Sequence, residues 1–261
     1  MRITPEQLTS RDNERVKYAQ KLMEKPAFCK AEQRFLAEGK KLCLDAAESG
    51  IVIEILYYTY MAQKRWPEID RLPGEHISIS ESVAEKISGM KSAQGVFAVC
   101  RLPVWDEAQV DPAGRYIALE NVQDPANVGA VLRSAAAFGF DGVLLSPGCA
   151  EPFGQKALRA SMGAAFKLPV IRTQDMAAAL RGCTAKGMAT AAAALRGAVD
   201  LSTFRPQGGL VLAIGNEGNG LTDEAIDACE TAVKIPISAR MESLNAAVAA
   251  SVLMWEFRKP D

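Results

Sequence analysis

From residue 115 onward, short apolar runs alternate with stretches of helical spacing. The runs at 116–122, 142–145, 170–172, 188–193, 210–214 and 232–235 predict strands, most of them buried on both faces. The spacing between them predicts helices over 127–138, where Val128, Val131, Leu132 and Ala135 share one face, and over 154–166, 175–186 and 222–229. A long helix over 244–258 closes the chain. Strands that alternate with helices predict a parallel sheet covered on both sides, with ligands bound in loops beyond the carboxyl ends of the strands.

The first hundred residues predict a smaller α/β domain, with helices over 12–24, 39–49 and 81–88 and strands over 34–37, 51–58, 77–79 and 95–101. Between Leu102 and Arg115 lie two prolines, a glycine and three acids, the composition of a linker. The expected division is therefore 1–105, a linker at 106–114, and 115–261.

Composition narrows the class. The 261 residues are 49% hydrophobic with net charge −1, which excludes general disorder. No run approaches the roughly 18–20 apolar residues of a membrane span, and no export signal opens the sequence, so a cytoplasmic location is expected. The six cysteines form no C-x-x-C pair and no cluster of metal ligands is present, so no metal site is expected. The lone histidine is His76, so the last two-thirds of the chain hold none, which excludes a Ser-His-Asp or Cys-His pair within them, and His76 itself is expected to be structural. The first 41 residues hold ten basic and six acidic side chains, among them Arg11, Arg15, Lys17, Lys21, Lys25, Lys30, Arg34, Lys40 and Lys41. Such a bias fits a solvated helical face or a lobe for an RNA backbone equally well.

Three loops carry candidate chemistry. In the first, from Glu120 to Ser134, Pro125 followed by Asn127 marks a capped helix start. Arg133 lies less than two turns beyond Asn127, so both side chains are placed to face one crevice; the plain alternative is an N-cap and a surface arginine. The second, Gly215-Asn216-Glu217-Gly218-Asn219-Gly220, follows an apolar run and allows close approach of the backbone to a ligand. It matches neither the dinucleotide fingerprint nor a P-loop. Glu217 would repel a phosphate, so a neutral or cationic ligand fits better. The third runs from Lys234 through Ile235, Pro236 and Ser243 to Asn245. Ser243 is the expected N-cap of the final helix, with Asn245 in its first turn as an amide that needs partners.

Taken together and in order, Asn127-Val128-Gly129 with Arg133, Gly215-Asn216-Glu217-Gly218 with Gly220-Leu221, and Ile235-Pro236-Ile237 with Ser243-Leu244-Asn245 resemble the three motifs of the SpoU (TrmH-like) RNA ribose 2′-O-methyltransferases of the SPOUT superfamily. The stretches 34–40 and 91–99 resemble, more loosely, that family's ribosomal-protein-like RNA-binding extension. The resemblance implies an α/β/α catalytic domain with a parallel sheet and a C-terminal trefoil knot, a smaller N-terminal α/β substrate domain, and a homodimer formed through the catalytic domain. It implies S-adenosyl-L-methionine as cofactor, held by Gly215, Asn216, Glu217, Ile235, Pro236 and Leu244. It implies that Asn127, Arg133, Glu217, Ser243 and Asn245 are the catalytic set, with Arg133 activating or positioning the ribose hydroxyl.

The expected activity is ribose 2′-O-methylation of structured RNA, ribosomal RNA first. Transfer RNA as substrate, an antibiotic-resistance methylation of ribosomal RNA, and a non-catalytic RNA-binding role are the alternatives.

Overall fold

The computed structural model describes residues 7–259. They form two compact units. One takes the chain up to Pro103 together with Phe153–Phe166; the other takes Val104–Pro152 and the chain from Lys167 onward.

In the first unit the order is α1 (Glu14–Glu24), α2 (Pro26–Glu32), β1 (Arg34–Glu38), α3 (Lys40–Glu48), β2 (Ile53–Thr59), α4 (Tyr60–Arg65), β3 (Glu75–Ile79), α5 (Glu81–Ser88) and β4 (Val96–Arg101). The sheet runs β1-β4-β2-β3, with β4 antiparallel to both neighbours and β3 parallel to β2. Phe35, Leu36, Leu56, Tyr57 and Phe97 are fully buried. Helices α2 and α4 were not expected. Pro26 reads as a breaker but here opens α2, where its missing N–H costs nothing. Thr59 ends β2 and caps α4 by accepting from the N–H of Ala62 at 3.2 Å.

Five of the nine N-terminal cations named above are paired with acids. Arg15 pairs with Glu75, Lys17 with Glu14, Lys40 with Glu68 and Lys41 with Asp45. Arg34 and Arg101 share Glu54, each at 2.5 Å. His76 lies 2.8 Å from the carbonyl of Leu72 and stands edge-on to Tyr58, a structural placement.

From β5 onward the elements are β5 (Arg115–Leu119), α6 (Pro125–Ala137), β6 (Gly142–Leu145), α7 (Gln155–Ser161), β7 (Val170–Arg172), α8 (Met176–Ala185), β8 (Ala189–Ala193), β9 (Val199–Asp200), β10 (Leu210–Ile214), α9 (Asp223–Ala228), β11 (Thr231–Lys234) and α10 (Ala246–Glu256). All but α7 belong to the second unit. Its sheet runs β7-β6-β5-β10-β8-β11-β9 and every pairing is parallel. Every residue of β10 is buried, which explains its uninterrupted apolar sequence. After β11 the chain returns across the sheet, and α10 packs on α6 and β10. Among the described residues no helix is long and apolar enough to cross a membrane.

Four local expectations are corrected. The helix expected over 154–166 breaks at Met162 and Gly163, both left-handed (φ 52° and 84°). Gly163 is favoured by its φ, and a Cβ there would also fall 2.5 Å from Asp45 Oδ2 and push that carboxylate aside. The 106–114 stretch contains a one-turn 3-10 helix, Glu107–Gln109, and Val110 is buried in the core of the second unit. Helix α6 is capped by Asp124 rather than Asn127, with Pro125 at its first position. Helix α10 is capped by Asn245 rather than Ser243, because the Asn245 Oδ1 accepts from the N–H groups of Ala247 and Val248.

Candidate active site

Strands β5 and β10 lie side by side, with Leu119 opposite Ile214, so the loops that follow them leave the same edge of the sheet. Glu120 ties the loops together. Its N–H donates to the Ile214 carbonyl (2.9 Å), and its carboxylate accepts from the N–H and the hydroxyl of Thr222 at 2.8 and 3.0 Å. Asn121 is left-handed (φ 54°), a conformation asparagine tolerates better than most residues. Its N–H donates to Ser146 Oγ and its carbonyl accepts from the Asn216 amide, both at 2.9 Å.

Asn216 then shapes the glycine-rich loop from within. Its Oδ1 accepts from the N–H groups of Gly218 and Asn219, and its backbone exchanges two hydrogen bonds with Gly220. A Cβ on Gly215 would stand 2.0 Å from the carbonyl carbon of Gly220 and 2.1 Å from the nitrogen of Leu221. The glycine is required by the loop's own closure.

Asn127 lies in the first turn of α6 and is buried. Its Nδ2 donates to Glu217 Oε1 at 2.6 Å, and its Oδ1 accepts from Asn245 Nδ2 at 3.0 Å. Asn245 in turn caps α10, so an unbroken line of hydrogen bonds runs from the α10 N terminus through two amides to a carboxylate. One residue from each of the three loops takes part. The thiol of Cys149 donates to the Leu119 carbonyl at 3.2 Å, and burial pushes its pKa up, which argues against a thiolate nucleophile here.

Arg133 is not in that line. Six residues at about 100° each place it about 120° around the helix from Asn127; it is exposed, whereas Asn127 is buried. Among the described residues Arg133 makes no hydrogen bond or ion pair, and Asn127 bonds Glu217 and Asn245 instead. The neighbouring Ser134 exchanges a hydrogen bond with Ser251 of α10 at 2.8 Å. Ser243 is exposed and is not joined to the others among the described residues. Ile235 is half-buried, and Pro236, Ile237, Met241 and Leu244 are exposed, giving an apolar loop that leaves β11 at the same edge of the sheet. Glu120 and Asn121 have no counterpart among the expected site residues. An asparagine four residues ahead of a proline is the only trace of them in the sequence.

The SpoU rRNA Methylase family model matches residues 114–255, and the model of the MRM3-like substrate binding domain matches 13–98. The chain is 31% identical over 253 residues to the 23S rRNA (guanosine(2553)-2'-O)-methyltransferase RlmP of Bacillus subtilis, covering 97% of this chain and 99% of the relative. An AdoMet-bound rRNA methyltransferase from Sinorhizobium meliloti is similar at TM-score 0.85 and 30% identity, over 96% of each chain. The SpoU methyltransferase AviRb from Streptomyces viridochromogenes, in complex with AdoMet, is similar at TM-score 0.85 and 26% identity, over 94% of this chain and 96% of that one.

Proposed function

The chain belongs to the SpoU rRNA methylase family, and from that premise we propose that it transfers a methyl group from S-adenosylmethionine to a ribose 2′-hydroxyl of ribosomal RNA. The observation that carries this reading is the line from Asn245 through Asn127 to Glu217, which draws one residue from each motif to the carboxyl edge of the sheet.

The donor set fits the cofactor. A carboxylate on one loop and an apolar loop at the same edge of the sheet suit a ligand that joins a cationic centre to a flat apolar ring, and S-adenosylmethionine supplies a methyl group activated on a sulfonium sulfur. Gly215 and Asn216 would hold it through the closed loop, Ile235, Pro236 and Leu244 would cover the ring, and Glu217 would face the positive charge. Asn127 and Asn245 fix the direction of that carboxylate. Arg133, exposed and uncommitted, would bind an RNA phosphate and stabilise negative charge developing on the ribose oxygen. A guanidinium stays protonated at working pH, so charge stabilisation suits it better than accepting the hydroxyl proton. Ser243 would complete the polar rim. The chain's main contribution is alignment of the hydroxyl with the methyl group for in-line displacement.

The reading extends to the whole chain. Residues 1–105 would bind RNA, through Arg11, Lys21, Lys25 and Lys30, which make no ion pair among the described residues, rather than through the neutralised cations. Residues 115–261 would carry the cofactor and the trefoil knot and would pair as a homodimer, in the cytoplasm. Mapping 2′-O-methyl marks in 23S RNA from strains with and without the gene tests the activity. A mark that disappears with the gene and returns with it is expected; an unchanged map would refute the reading.

A further inference from the structure

At the amino-terminal edge of the second unit's sheet, opposite the edge that carries Asn127 and Glu217, lies a cavity of about 420 Å³. It is lined by Arg115 at the start of β5, the 205–208 loop and Leu210 that lead into β10, and Glu256, Phe257 and Arg258 at the end of α10. Arg115 and Leu210 are register partners, so the floor of the cavity is the sheet itself. Phe204 meets Phe257 edge-to-face at 5.5 Å, which pins the loop carrying Arg205 against α10.

Three arginines line it, and each guanidinium donates to one backbone carbonyl; that of Arg258 also stacks over the Trp255 ring, 3.8 Å from its centre. Arg115 donates to Phe257 (2.6 Å), Arg205 to Phe204 (2.8 Å) and Arg258 to Trp255 (2.7 Å). Among the described residues none of the three has an acidic partner. Arg15, Arg34, Arg101, Arg159, Arg172 and Arg196 are paired with acids, whereas Arg133 on α6, like these three, is not. Each cavity arginine thus keeps most of its five N–H donors for another acceptor. Glu256 and the carboxyl end of α10 oppose them. The α10 carbonyls of Trp255 and Phe257 are already bonded, however, and the nearby Asp141 is held by Lys259. The cavity keeps a net positive charge.

We propose that this cavity is a receptor for a phosphate group, and that in the working enzyme the group is a backbone phosphate of the RNA. Planar forks held in place match phosphate oxygens through paired bonds, and the volume admits a phosphate with its attached sugar. The RNA assignment rests on the function proposed above; the phosphate assignment does not. It adds a second anchoring point, across the sheet from the site of methyl transfer.

Full-length Arg205→Gln and the double variant R205Q/R258Q test it, with Arg115 left in place because it holds the end of α10. Binding of uridine monophosphate, which lacks the adenine of the cofactor, is followed by calorimetry and that of a fluorescent oligoribonucleotide by anisotropy across a salt series, with thermal melting as a check on folding. The double variant is expected to bind both probes at least tenfold more weakly, with the RNA salt slope reduced by roughly 0.7 for each phosphate no longer neutralised. S-adenosylmethionine affinity and melting should hold steady. Weakened mononucleotide binding with unchanged RNA binding would overturn the RNA assignment alone. Unchanged binding of both probes by the double variant would overturn the receptor. Wild-type protein that binds the mononucleotide but methylates no RNA would sink the functional reading and leave the receptor standing.

Discussion

Asn127 and Glu217, 90 residues apart in the chain, meet through one hydrogen bond from Nδ2 to Oε1 at 2.6 Å. Because Asn127 Oδ1 accepts from Asn245 at the same time, the amide has only one workable orientation. The acid is thereby aimed from the first turn of α6, and α6 is tied to the cap of α10.

Replacing that donor by an acceptor should uncouple the site. In Asn127→Asp two carboxylates face each other, so the hydrogen bond is lost and the exposed Glu217 turns away. We expect methyl transfer to fall by about two orders of magnitude, the scale of losing one oriented polar group. Asn127→Ala removes two hydrogen bonds whose other partners, Glu217 and Asn245, are exposed and regain water, so it should cost only about 1 kcal/mol by thermal melting. Near-normal turnover by Asn127→Asp at neutral pH would refute the coupling.

Gly215→Ala probes the loop. Its Cβ would overlap the backbone of Gly220 and Leu221, neither of which can give way without opening the turn. We expect cofactor affinity to drop at least tenfold while the far-ultraviolet spectrum is kept, because the loop lies outside the sheet. Affinity within twofold of wild type would show that the loop re-closes around a side chain.

The sheet was legible because strands buried on both faces carry uninterrupted apolar runs, as in β6 and β10. The helices beside it followed from periodicity. Caps were less so: Asp124 and Asn127, like Ser243 and Asn245, are pairs of good capping residues two or three positions apart, and only tertiary bonds choose between them. Asn245 wins at α10 because its amide also reaches Asn127. The placing of Phe153–Phe166 was not legible at all. Phe153 and Phe166 pack on Phe35 at 5.1 and 5.8 Å, and Gln155 donates to the Leu36 carbonyl; these interactions span more than a hundred residues and leave no local pattern. A linear boundary cannot express a unit built from two separate stretches.

Arg133 separates chemistry from binding. It stands exposed on α6, whereas the proposed cofactor contacts come from the loops after β10 and β11. Arg133→Ala should therefore leave S-adenosylmethionine affinity within a few-fold and lower methyl transfer by orders of magnitude. Arg133→Lys keeps the charge and loses the planar fork, so activity should stay low. Normal turnover by Arg133→Ala in a single-turnover assay would remove this residue from the chemistry.

The shared pair on Glu54 makes the first unit acid-sensitive. The hydrogen bond from Arg34, helped by Arg101 and opposed by partial burial, holds its carboxyl below the ordinary range. A folded pKa below the unfolded one gives stability that is present above the ordinary carboxylate pKa and lost as the pH falls through the folded value. Glu54→Gln should therefore cost up to about 1 kcal/mol at neutral pH, the range for partly exposed pairs. That difference from wild type should close in strong acid. Melting curves across pH check this, and a constant difference down to pH ~2 would exclude the linkage.

The last prediction concerns the outer face of α10. Ala250, Leu253 and Met254 are fully buried, and Ala247 is nearly so, so the inner side of the helix is spent on the core. Val248 and Trp255, seven residues apart and hence about 20° apart around the helix, remain roughly half exposed (49% and 54%). Trp255 is braced by Phe138 on one side, edge-to-face at 5.7 Å, and by the Arg258 guanidinium over its ring, so it is held in place without being covered. A two-fold interface through this face would count every substitution twice, once per protomer. Val248→Asp should then place two carboxylates in an apolar interface and convert the dimer to a monomer of unchanged fold. Light scattering at micromolar concentration should report twice the 28.0 kDa chain mass for wild type and the single mass for the variant. A wild-type monomer would rule the dimer out, and a dimeric Val248→Asp would move the interface off α10.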